Sequence, residues 1–425
     1  MSHTIIGQNA TPAVDPRRWP DVAAVPGGAV RAAAARALFT RAAGRLPLRV
    51  ATPGGVTFGA GGEQAPVLTL HRPARFYRRV GAAGLIGFGE SYMAGDWDCA
   101  DLTGLLTVFA QHVDTLVPQP LQSLRRFYVR RQPAADDASE QQARGNIHRH
   151  YDLSNDLFAL FLDETMTYSA ALFPEDPGGA PVAAAPLLAD AQRRKIDRLL
   201  DLARVGPGSR ILEIGTGWGE LAIRAAQRRA QVLTVTLSEE QHALAAERIQ
   251  RAGLADRVSV ELRDYRQVTG TFDAILSVEM IEAVGARYWP DYFAALDRLL
   301  VPGGLVGLQS ITMPHQRMVA TRNTHTWVLK YIFPGGLIPS VTAIEQNAAR
   351  AGLHVAARRD FGAHYAETLR LWREQLLERQ AELGRLGFDE VFRRMWLLYL
   401  CYAEAGFRAG YLGVSQFLLV KEGSR

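Results

Sequence analysis

Short apolar segments alternate with helical ones along residues 210–311. Five of them have the length and composition of strands: Arg210–Ile214, Val232–Leu237, Val258–Leu262, Phe272–Val278 and Gly304–Ile311. Three intervening stretches have helical patterns: Glu220–Arg229, Ser238–Ala252 and Pro290–Leu300. Strands joined by helices form right-handed parallel crossovers. The sequence therefore predicts an α/β, doubly wound, Rossmann-like sheet, which the segments Leu353–Arg359 and Val414–Val420 would complete.

Composition changes divide the chain into four parts. Residues 1–30 are rich in Pro, Ala and Gly and are predicted to be flexible, and residues 132–144 are a polar linker. Residues 31–131 are predicted to form a small α+β domain, with a helix at Arg31–Ala43, strands at Leu46–Val50 and Val67–Leu70, and a turn-rich segment at Leu85–Trp97. Residues 145–425 would form the main domain, with a helical insert at about residues 314–350.

Bulk composition favours a globular cytoplasmic protein. Hydrophobic residues make up 48% of the 425, and no run of eighteen apolar residues or signal-peptide layout is present. The two cysteines, Cys99 and Cys401, form no metal or redox spacing, and we expect no metal site. The net charge is +5, with no nucleic-acid recognition motif, so nucleic acid is a disfavoured partner.

Arginines cluster at two places beside aromatic residues. One cluster is Arg72, Arg75, Arg78 and Arg79, and the other is Arg125, Arg126, Arg130 and Arg131. Each could be an ordinary exposed helix face. The alternative is a surface for anionic lipid headgroups, where a basic residue contributes about 1 kcal/mol.

Two motifs lie where parallel sheets bind ligands, at the carboxyl ends of predicted strands. Residues 213–219 (EIGTGWG) form a glycine-rich turn between a strand and a helix, without a phosphate-binding lysine. A plain tight turn is the alternative. Residues 236–241 (TLSEEQ) follow the second strand, where Ser238 could instead be only a helix N-cap. Asp264 ends the third strand, which is typical of enzymes that bind S-adenosylmethionine.

Further motifs make the resemblance specific. They are residues 150–158 (HYDLSNDLF), 161–169 (FLDETMTYS), 331–336 (YIFPGG) and 405–408 (AGFR). With the two motifs above, they resemble the cyclopropane-fatty-acyl-phospholipid synthase family, which includes the mycolic acid methyltransferases. The resemblance implies an S-adenosylmethionine-dependent methyltransferase with a separate lipid-binding N-terminal domain.

Matching positions identify candidate site residues. The resemblance implies that the cofactor contacts Tyr168, Ser169, Gly215, Gly217, Trp218, Thr236, Gln241, Asp264 and Tyr265. Four residues are catalytic candidates. Glu279 and Glu282 follow the fourth strand, at the mouth of the cofactor cleft, and Gln309 and Tyr399 match positions of the family's site. Methylation of an alkene leaves a carbocation on the acyl chain, and a carboxylate about 4 Å from a unit charge contributes about 4 kcal/mol at a dielectric of 20. The alternative for Glu279 and Glu282 is a pair of surface or helix-capping acids.

The sequence departs from the ring-forming members of the family. Those members hold a bicarbonate that removes the final proton, in a shell that includes a cysteine and two histidines. At the matching positions this chain has Ala170, Ala283 and Gln309, whereas Glu282, Ile311 and Tyr399 are retained. Gln309 can hydrogen-bond an anion but cannot titrate near neutral pH. The use of bicarbonate is therefore left open.

One actinobacterial branch shares residues 89–97 (GESYMAGDW), 277–285 (SVEMIEAVG) and 334–340 (PGGLIPS). It is the branch of fatty-acyl methyltransferases of tuberculostearic acid synthesis. These methylate oleoyl phospholipid to a methylene-branched chain, which a separate reductase saturates, although a cysteine is expected where Ala170 stands. We predict this activity. The alternatives are cyclopropane formation, small-molecule methylation, and a non-catalytic protein that binds cofactor and lipid.

The partners implied by the resemblance are an unsaturated phospholipid at the inner face of the cell membrane, the reductase and a second copy of the chain. Residues 327–338 (WVLKYIFPGGLI) would line the acyl-chain tunnel or lie at the membrane. An ordinary core helix is the alternative for this segment.

Overall fold

The computed structural model of the protein describes residues 13–113 and 154–422. The strands, in chain order, are β1 Arg49–Ala51, β2 Thr57–Phe58, β3 Val67–Leu70, β4 Trp97–Cys99, β5 Arg210–Ile214, β6 Gln231–Thr236, β7 Val258–Leu262, β8 Phe272–Val278, β9 Leu300–Thr312, β10 Leu353–Asp360 and β11 Gly413–Lys421. The α-helices are α1 Pro20–Ala23, α2 Ala29–Ala43, α3 Pro73–Ala83, α4 Leu85–Met93, α5 Leu102–Gln111, α6 Asn155–Ala159, α7 Leu188–Leu202, α8 Glu220–Gln227, α9 Glu239–Arg251, α10 Ile281–Val284, α11 Trp289–Leu299, α12 His315–Thr321, α13 Trp327–Tyr331, α14 Val341–Arg350, α15 Gly362–Glu378, α16 Gln380–Arg385 and α17 Glu390–Arg408.

The chain forms two compact units. Unit 1 comprises Met1–Arg131, Thr324–Ile332 and Arg379–Tyr411, and unit 2 comprises Gln132–Asn323, Phe333–Glu378 and Leu412–Arg425. The arginine cluster at 125–131, the linker at 132–144 and the motif residues 150–153 lie outside the described residues. The proposed domain boundaries stay predictions.

Unit 2 contains the predicted doubly wound sheet. Its seven strands have the order β10-β11-β9-β8-β5-β6-β7. Strands β5 to β9 are parallel, and β11 pairs antiparallel with both β9 and β10. The predicted α/β fold class is therefore confirmed. The order reverses beside β5, and such a reversal opens a crevice at the carboxyl ends of the strands.

Both faces of this sheet are covered. Successive residues of a strand point to opposite faces, and Leu212 and Ile275 pack with α11 and α14 on one face. Ile211 and Leu276 pack with α7 and α8 on the other. Complete burial of such a side chain stabilises the fold by about 1.5–3 kcal/mol, which explains the continuous apolar runs in the central strands.

Unit 1 contains a four-stranded sheet of order β2-β1-β3-β4. The prediction of a turn-rich segment at Leu85–Trp97 is wrong, because α4 occupies its first nine residues. Its glycines allow close packing. A Cβ at Gly87 would lie 2.0 Å from the Arg79 carbonyl oxygen, and one at Gly89 would lie 2.3 Å from the Trp327 ring.

Two arginines of the first cluster are not on an exposed face, so both interpretations of the cluster fail for them. Arg79 is 1% exposed, and its guanidinium donates to Asp96 and to the carbonyls of residues 21, 22 and 24. Arg72 pairs with Asp96 at 2.8 Å. Burial of a charge requires a partner, and Asp96, which is fully buried, serves both. Arg78 is exposed as expected.

Residues 327–332 pack within unit 1. Trp327 and Ile332 are buried, Lys330 Nζ lies 2.5 Å from Glu90 Oε1, and the Tyr331 hydroxyl donates to the same oxygen at 2.9 Å. This favours the core-helix interpretation for the first half of the segment.

Candidate active site

A cavity opens at the carboxyl ends of β5, β6, β7 and β8 in unit 2. The structure brings all nine predicted cofactor residues to its wall: Tyr168, Ser169, Gly215, Gly217, Trp218, Thr236, Gln241, Asp264 and Tyr265. Glu279, at the end of β8, lines the same cavity. The position agrees with the crevice that the strand order creates.

The glycine-rich turn between β5 and α8 is shaped for close approach of a ligand. Gly215, Gly217 and Gly219 all have positive φ, at 92°, 50° and 89°. A Cβ on Gly215 would lie 2.5 Å from the Met280 side chain, whereas nothing lies within 4 Å of one on Gly217. Gly217 therefore leaves open space at the cavity wall, which a plain tight turn does not require.

The TLSEEQ segment both caps a helix and lines the cavity. Ser238 Oγ accepts from the Gln241 backbone N–H at 3.2 Å, so the N-cap interpretation of Ser238 is confirmed. The Thr236 hydroxyl donates to Gln241 Oε1 at 2.9 Å. Thr236 and Gln241 therefore fix each other at the wall, whereas Ser238 lies behind it.

The acidic residue after β7 is held firmly. Asp264 is 3% exposed, and its carboxylate makes bonds of 2.9 and 2.6 Å to the guanidinium of Arg266. The adjacent Tyr265 ring packs edge-on against Tyr292 at 5.5 Å. Burial raises the pKa of the Tyr265 hydroxyl, so this phenol stays protonated. Its oxygen is buried without a hydrogen-bond partner among the described residues.

Aromatic side chains form another part of the wall. The Tyr168 ring packs 5.2 Å from both Phe158 and Trp372, and Phe158 lies 5.0 Å from Trp218. Trp218 Nε1 donates to Asn155 Oδ1 at 2.7 Å. The indole is thereby oriented, and its polar N–H is satisfied away from the aromatic face.

Glu279 is an acid of the cavity wall that accepts hydrogen bonds from three different residues. Its Oε1 accepts from the Ala170 N–H at 3.0 Å and from Gln309 Nε2 at 2.8 Å, and its Oε2 accepts from the Tyr365 hydroxyl at 2.7 Å. Burial raises the pKa of Glu279, and the Lys195 ammonium and these donors oppose that rise. The backbone has φ of 53°, an uncommon value outside glycine, which costs about 1–2 kcal/mol. Such strain is concentrated at functional sites.

Gln309 is fixed by a chain of amides rather than left available. It is fully buried on β9, and its Oε1 accepts from Gln416 Nε2 at 3.0 Å. Gln416 Oε1 accepts in turn from Arg198 at 2.5 Å. This sequence of bonds directs the Gln309 amide hydrogen to Glu279. The Ala170 N–H and the Gln309 amide, which lie at positions of the family's bicarbonate shell, are thus both engaged by Glu279, so the arrangement does not fit that shell.

Glu282 lies one turn further on, outside the cavity wall. Its Oε1 accepts from the Ser310 hydroxyl at 2.9 Å and from the Ile311 N–H at 2.5 Å. Its Oε2 is inaccessible to solvent and has no hydrogen-bond partner among the described residues. Burial and the neighbouring Glu279 charge raise the pKa of Glu282 to about 8. This carboxyl is therefore mainly protonated at neutral pH.

Tyr399 is not brought to the cavity wall. It lies on α17 in unit 1, is 5% exposed, and packs against Trp396 at 5.3 Å. Of the four catalytic candidates, Glu279 alone lines the cavity; Ala283, which replaces a family histidine, also lines it.

Sequence analysis missed five charged residues of the wall: Lys195, Glu213, Glu220, Arg263 and Arg266. Lys195 and Glu213 are the two that are almost fully buried. Lys195 Nζ donates to Ser169 Oγ at 2.6 Å, and burial lowers the pKa of Lys195 to about 8. Burial raises the pKa of Glu213 to about 8. Glu213 was visible as the acid that opens the glycine motif. Lys195 gave no signal, because it follows two arginines in a charged helix.

The wall fits S-adenosylmethionine. Gly217 gives the ligand access to the backbone, and Thr236, Gln241 and Asp264 supply polar groups around it. Trp218 and Tyr168 present aromatic faces, which attract a cation such as a sulfonium. The fold and the site together define a class I S-adenosylmethionine-dependent methyltransferase.

Comparisons with known proteins identify the family. The mycolic acid cyclopropane synthetase family matches residues 138–417, and the chain belongs to this family. It is 56% identical to the tuberculostearic acid methyltransferase UfaA1 of Mycobacterium tuberculosis, over 98% of both chains. It is 35% identical to the cyclopropane-fatty-acyl-phospholipid synthase of Escherichia coli, over 79% of this chain and 82% of that protein.

A solved structure supports this family assignment. The mycolic acid cyclopropane synthase CmaA1, complexed with SAH (S-adenosylhomocysteine) and CTAB, superposes with a TM-score of 0.59 at 30% identity. The superposition covers 68% of this chain and 99% of that one. The cofactor of this chain is therefore S-adenosylmethionine, and its substrates belong to the lipid chemistry of the family.

Proposed function

We propose that the protein methylates the cis double bond of an oleoyl-type acyl chain in a phospholipid and yields a methylene-branched chain, the precursor of tuberculostearic acid. The observation that carries the proposal is the Glu279 carboxylate at the cavity wall, held by Ala170, Gln309 and Tyr365. The 56% identity to a tuberculostearic acid methyltransferase supports it.

The methylation reaction requires a negatively charged group beside the cavity. S-adenosylmethionine supplies an electrophilic methyl group. The alkene π pair forms the new C–C bond as the methyl–sulfur bond breaks, so that S-adenosylhomocysteine leaves and a cation remains on the neighbouring carbon. A hydride shift moves the cation to the methylated carbon, and loss of a methyl proton gives the methylene group. Glu279 is the carboxylate placed to stabilise this cation, since a preorganised charge in a desolvated site acts strongly.

Glu279 is also our candidate for the proton acceptor. Burial raises the pKa of the Glu279 carboxyl, which therefore accepts a proton more readily than an exposed carboxylate does. Its three donors fix both oxygens, so the proton would be taken at a defined position. Glu282, mainly neutral and bound to the end of β9, would hold the wall in place.

Mass spectrometry of the product tests the proposal. Oleoyl phospholipid vesicles are incubated with the protein and S-adenosylmethionine, and the acyl chains are derivatised to separate a methylene branch from a cyclopropane of equal mass. A methylene branch is the expected product. A cyclopropane would mean that Ala170, Ala283 and Gln309 still support ring closure. Cofactor binding without turnover of any unsaturated lipid would identify a non-catalytic protein.

Two substitutions test the acids separately. Glu279→Gln should keep SAH binding and reduce turnover by about a thousandfold, on the order of the 4 kcal/mol of a nearby charge. Glu282→Gln should also keep SAH binding and lose most turnover, because the amide keeps the bonds from Ser310 and Ile311 but removes the acidic proton of the carboxyl. A matched control is Glu367→Gln on α15, which pairs with Arg370 away from the cavity. Wild-type turnover in Glu279→Gln or Glu282→Gln would remove that residue from the mechanism.

We propose in addition that unit 1 binds the inner face of the cell membrane peripherally. Among the described residues, no helix is long and apolar enough to cross a membrane. Helix α2 contains three arginines and no acid, and Val30 and Leu38 are 84% and 44% exposed. Val30→Asp should reduce co-sedimentation with anionic vesicles, whereas Val182→Asp, at an exposed apolar site of unit 2, should not. Equal retention of both variants would refute this role of α2.

A further inference from the structure

The Glu279 carboxylate is surrounded by neutral hydrogen-bond donors from three different parts of unit 2. They are the Ala170 N–H at 3.0 Å, the Gln309 amide on β9 at 2.8 Å and the Tyr365 hydroxyl on α15 at 2.7 Å. Donors that converge on one point from separate elements form a site for an anion, because a buried negative charge must be hydrogen-bonded. In this chain, the anion that occupies the site is covalently attached at the end of β8.

Each donor is held by contacts that do not involve Glu279. The residue after the first donor is fixed, because the Ala171 N–H donates to Thr368 Oγ1 at 3.1 Å. The amide on β9 is held by the amide chain described above, and the Tyr365 ring packs edge-on against Trp372. The donors should therefore stay in place when the Glu279 side chain is removed, and a small free anion would fit between them.

The hydrogen bonds to Glu279 leave one direction open for a proton. A carboxylate has about four lone-pair sites, two on each oxygen. Oε1 accepts two hydrogen bonds. Oε2 accepts one, from Tyr365, and no second bond to it is found among the described residues. Oε2 is therefore the atom that receives the methyl proton, while the electron pair of the broken C–H bond becomes the π bond of the methylene group.

We propose that the Glu279 carboxylate takes the place that the resemblance gives to bicarbonate in the ring-forming members of the family, so that this enzyme needs no free anion. Two of its donors, Ala170 and Gln309, stand at positions of that bicarbonate shell. A free anion there would compete with Glu279 for the same hydrogens and would be repelled by its charge. The inference rests on the proposed function, because it makes Glu279 the proton acceptor of that reaction.

Two substitutions of Glu279 separate the need for a carboxylate from the need for space. Glu279 has φ of 53°, a region that glycine adopts without steric cost. Glu279→Gly should therefore fold and leave a cavity beside the three donors. Glu279→Gln is the matched control, because it removes the same charge but fills the same space. Formate, a one-carbon carboxylate, is the probe for the cavity.

Thermal unfolding measures anion binding without lipid or turnover. Formate has three heavy atoms, which limits its dissociation constant to about 1 mM or weaker. With a dissociation constant of about 10 mM, roughly 100 mM sodium formate should raise the Tm of Glu279→Gly by about 2 °C over the same concentration of sodium chloride. The unsubstituted protein and Glu279→Gln should show no difference between the two salts.

Turnover of oleoyl phospholipid gives the second readout. In buffer freed of carbon dioxide, the unsubstituted protein should keep its rate, and added bicarbonate should not increase it. Glu279→Gly should lose about a thousandfold. Formate should restore at least about tenfold of this loss, since a positioned base contributes about a hundredfold to ten-thousandfold. Glu279→Gln should not be restored.

The inference and the proposed product fail in different ways. A rate of the unsubstituted protein that falls without carbon dioxide would overturn the inference, and this measurement needs no variant to fold. The same response of Glu279→Gly and Glu279→Gln to formate, in unfolding and in turnover, would also overturn it. A cyclopropane product, formed at a rate that is independent of bicarbonate and restored by formate in Glu279→Gly alone, would reject the methylene product and uphold Glu279 as the internal anion.

Discussion

The hydrogen bond between Tyr365 and Glu279 is open to a quantitative test. Tyr365→Phe removes the hydroxyl that donates to Glu279 Oε2 at 2.7 Å and keeps the ring, which packs against Trp372. Tyr365 is 6% exposed, so water cannot easily replace the lost donor. Loss of a hydrogen bond to a charged group costs about 1.5–3 kcal/mol. Because Ala170 and Gln309 still hold Oε1, we expect the free energy of unfolding to fall by about 2 kcal/mol.

A double-mutant cycle assigns this loss to the carboxylate. In a Glu279→Gln protein the amide oxygen takes the Oε1 position, where Ala170 and Gln309 both donate. The Tyr365 oxygen would then accept from the amide NH2, and such a neutral bond contributes about 1 kcal/mol. Tyr365→Phe in that background should therefore cost about half as much. Urea unfolding followed by far-ultraviolet circular dichroism measures all four proteins, with equal m-values as the condition for comparison.

The same substitution predicts a change in the pH profile. The Tyr365 hydroxyl lowers the pKa of Glu279, whose net shift is upward because of burial. Tyr365→Phe should therefore raise that pKa further and move the acidic limb of the kcat/KM profile to higher pH. Equal unfolding losses in both backgrounds, within about 0.3 kcal/mol, with an unmoved acidic limb, would refute the assignment.

Three other outcomes are expected. Gly217→Ala should fold, because nothing lies within 4 Å of its Cβ, yet bind SAH at least about tenfold more weakly in calorimetry, since the methyl group enters the ligand space and φ of 50° is unfavourable for alanine. Arg394→Met should lower stability in thermal unfolding by about 1–3 kcal/mol for each of the two carbonyls, of Tyr92 and Trp97, that loses its buried donor. The pKa of Glu282 is higher in the folded protein, at about 8, than its ordinary 4.5. The folded state therefore holds this proton longer, stability should fall as the pH rises between these values, and Glu282→Gln should reduce that slope in urea titrations.

The methyltransferase sheet could be predicted from the sequence because the local residue pattern of its strands is enough to indicate them. Arg210–Ile214 and Phe272–Val278 have the predicted bounds, since a central strand that is buried on both faces is mainly apolar. Helix α4 could not be predicted in this way. Its glycines are typical of turns, and the reason for Gly89 lies in Trp327, more than two hundred residues away.

The same contrast, between local sequence patterns and contacts with distant residues, applies to the site residues. Glycines and acids at the ends of strands are local signals, and they reach the cavity wall as expected. The orientation of Gln309 depends on Gln416 and Arg198, which no local pattern connects to it. Lys195 is similar to its exposed neighbours until the β-sheet packs over α7 and buries it. Arg79 likewise became buried because Asp96 lies opposite it.

Unit 1 combines chain segments that the ribosome synthesises at widely separated times. Arg394 donates to the carbonyl of Tyr92, 302 residues earlier. At about 5–20 residues per second, the chain around Tyr92 waits roughly 15–60 seconds for this partner. During that interval its strands and the buried Asp96 lack part of the core. The amino-terminal region therefore lacks part of its core until α17 has been synthesised, and a fragment that ends near residue 113 should aggregate rather than fold.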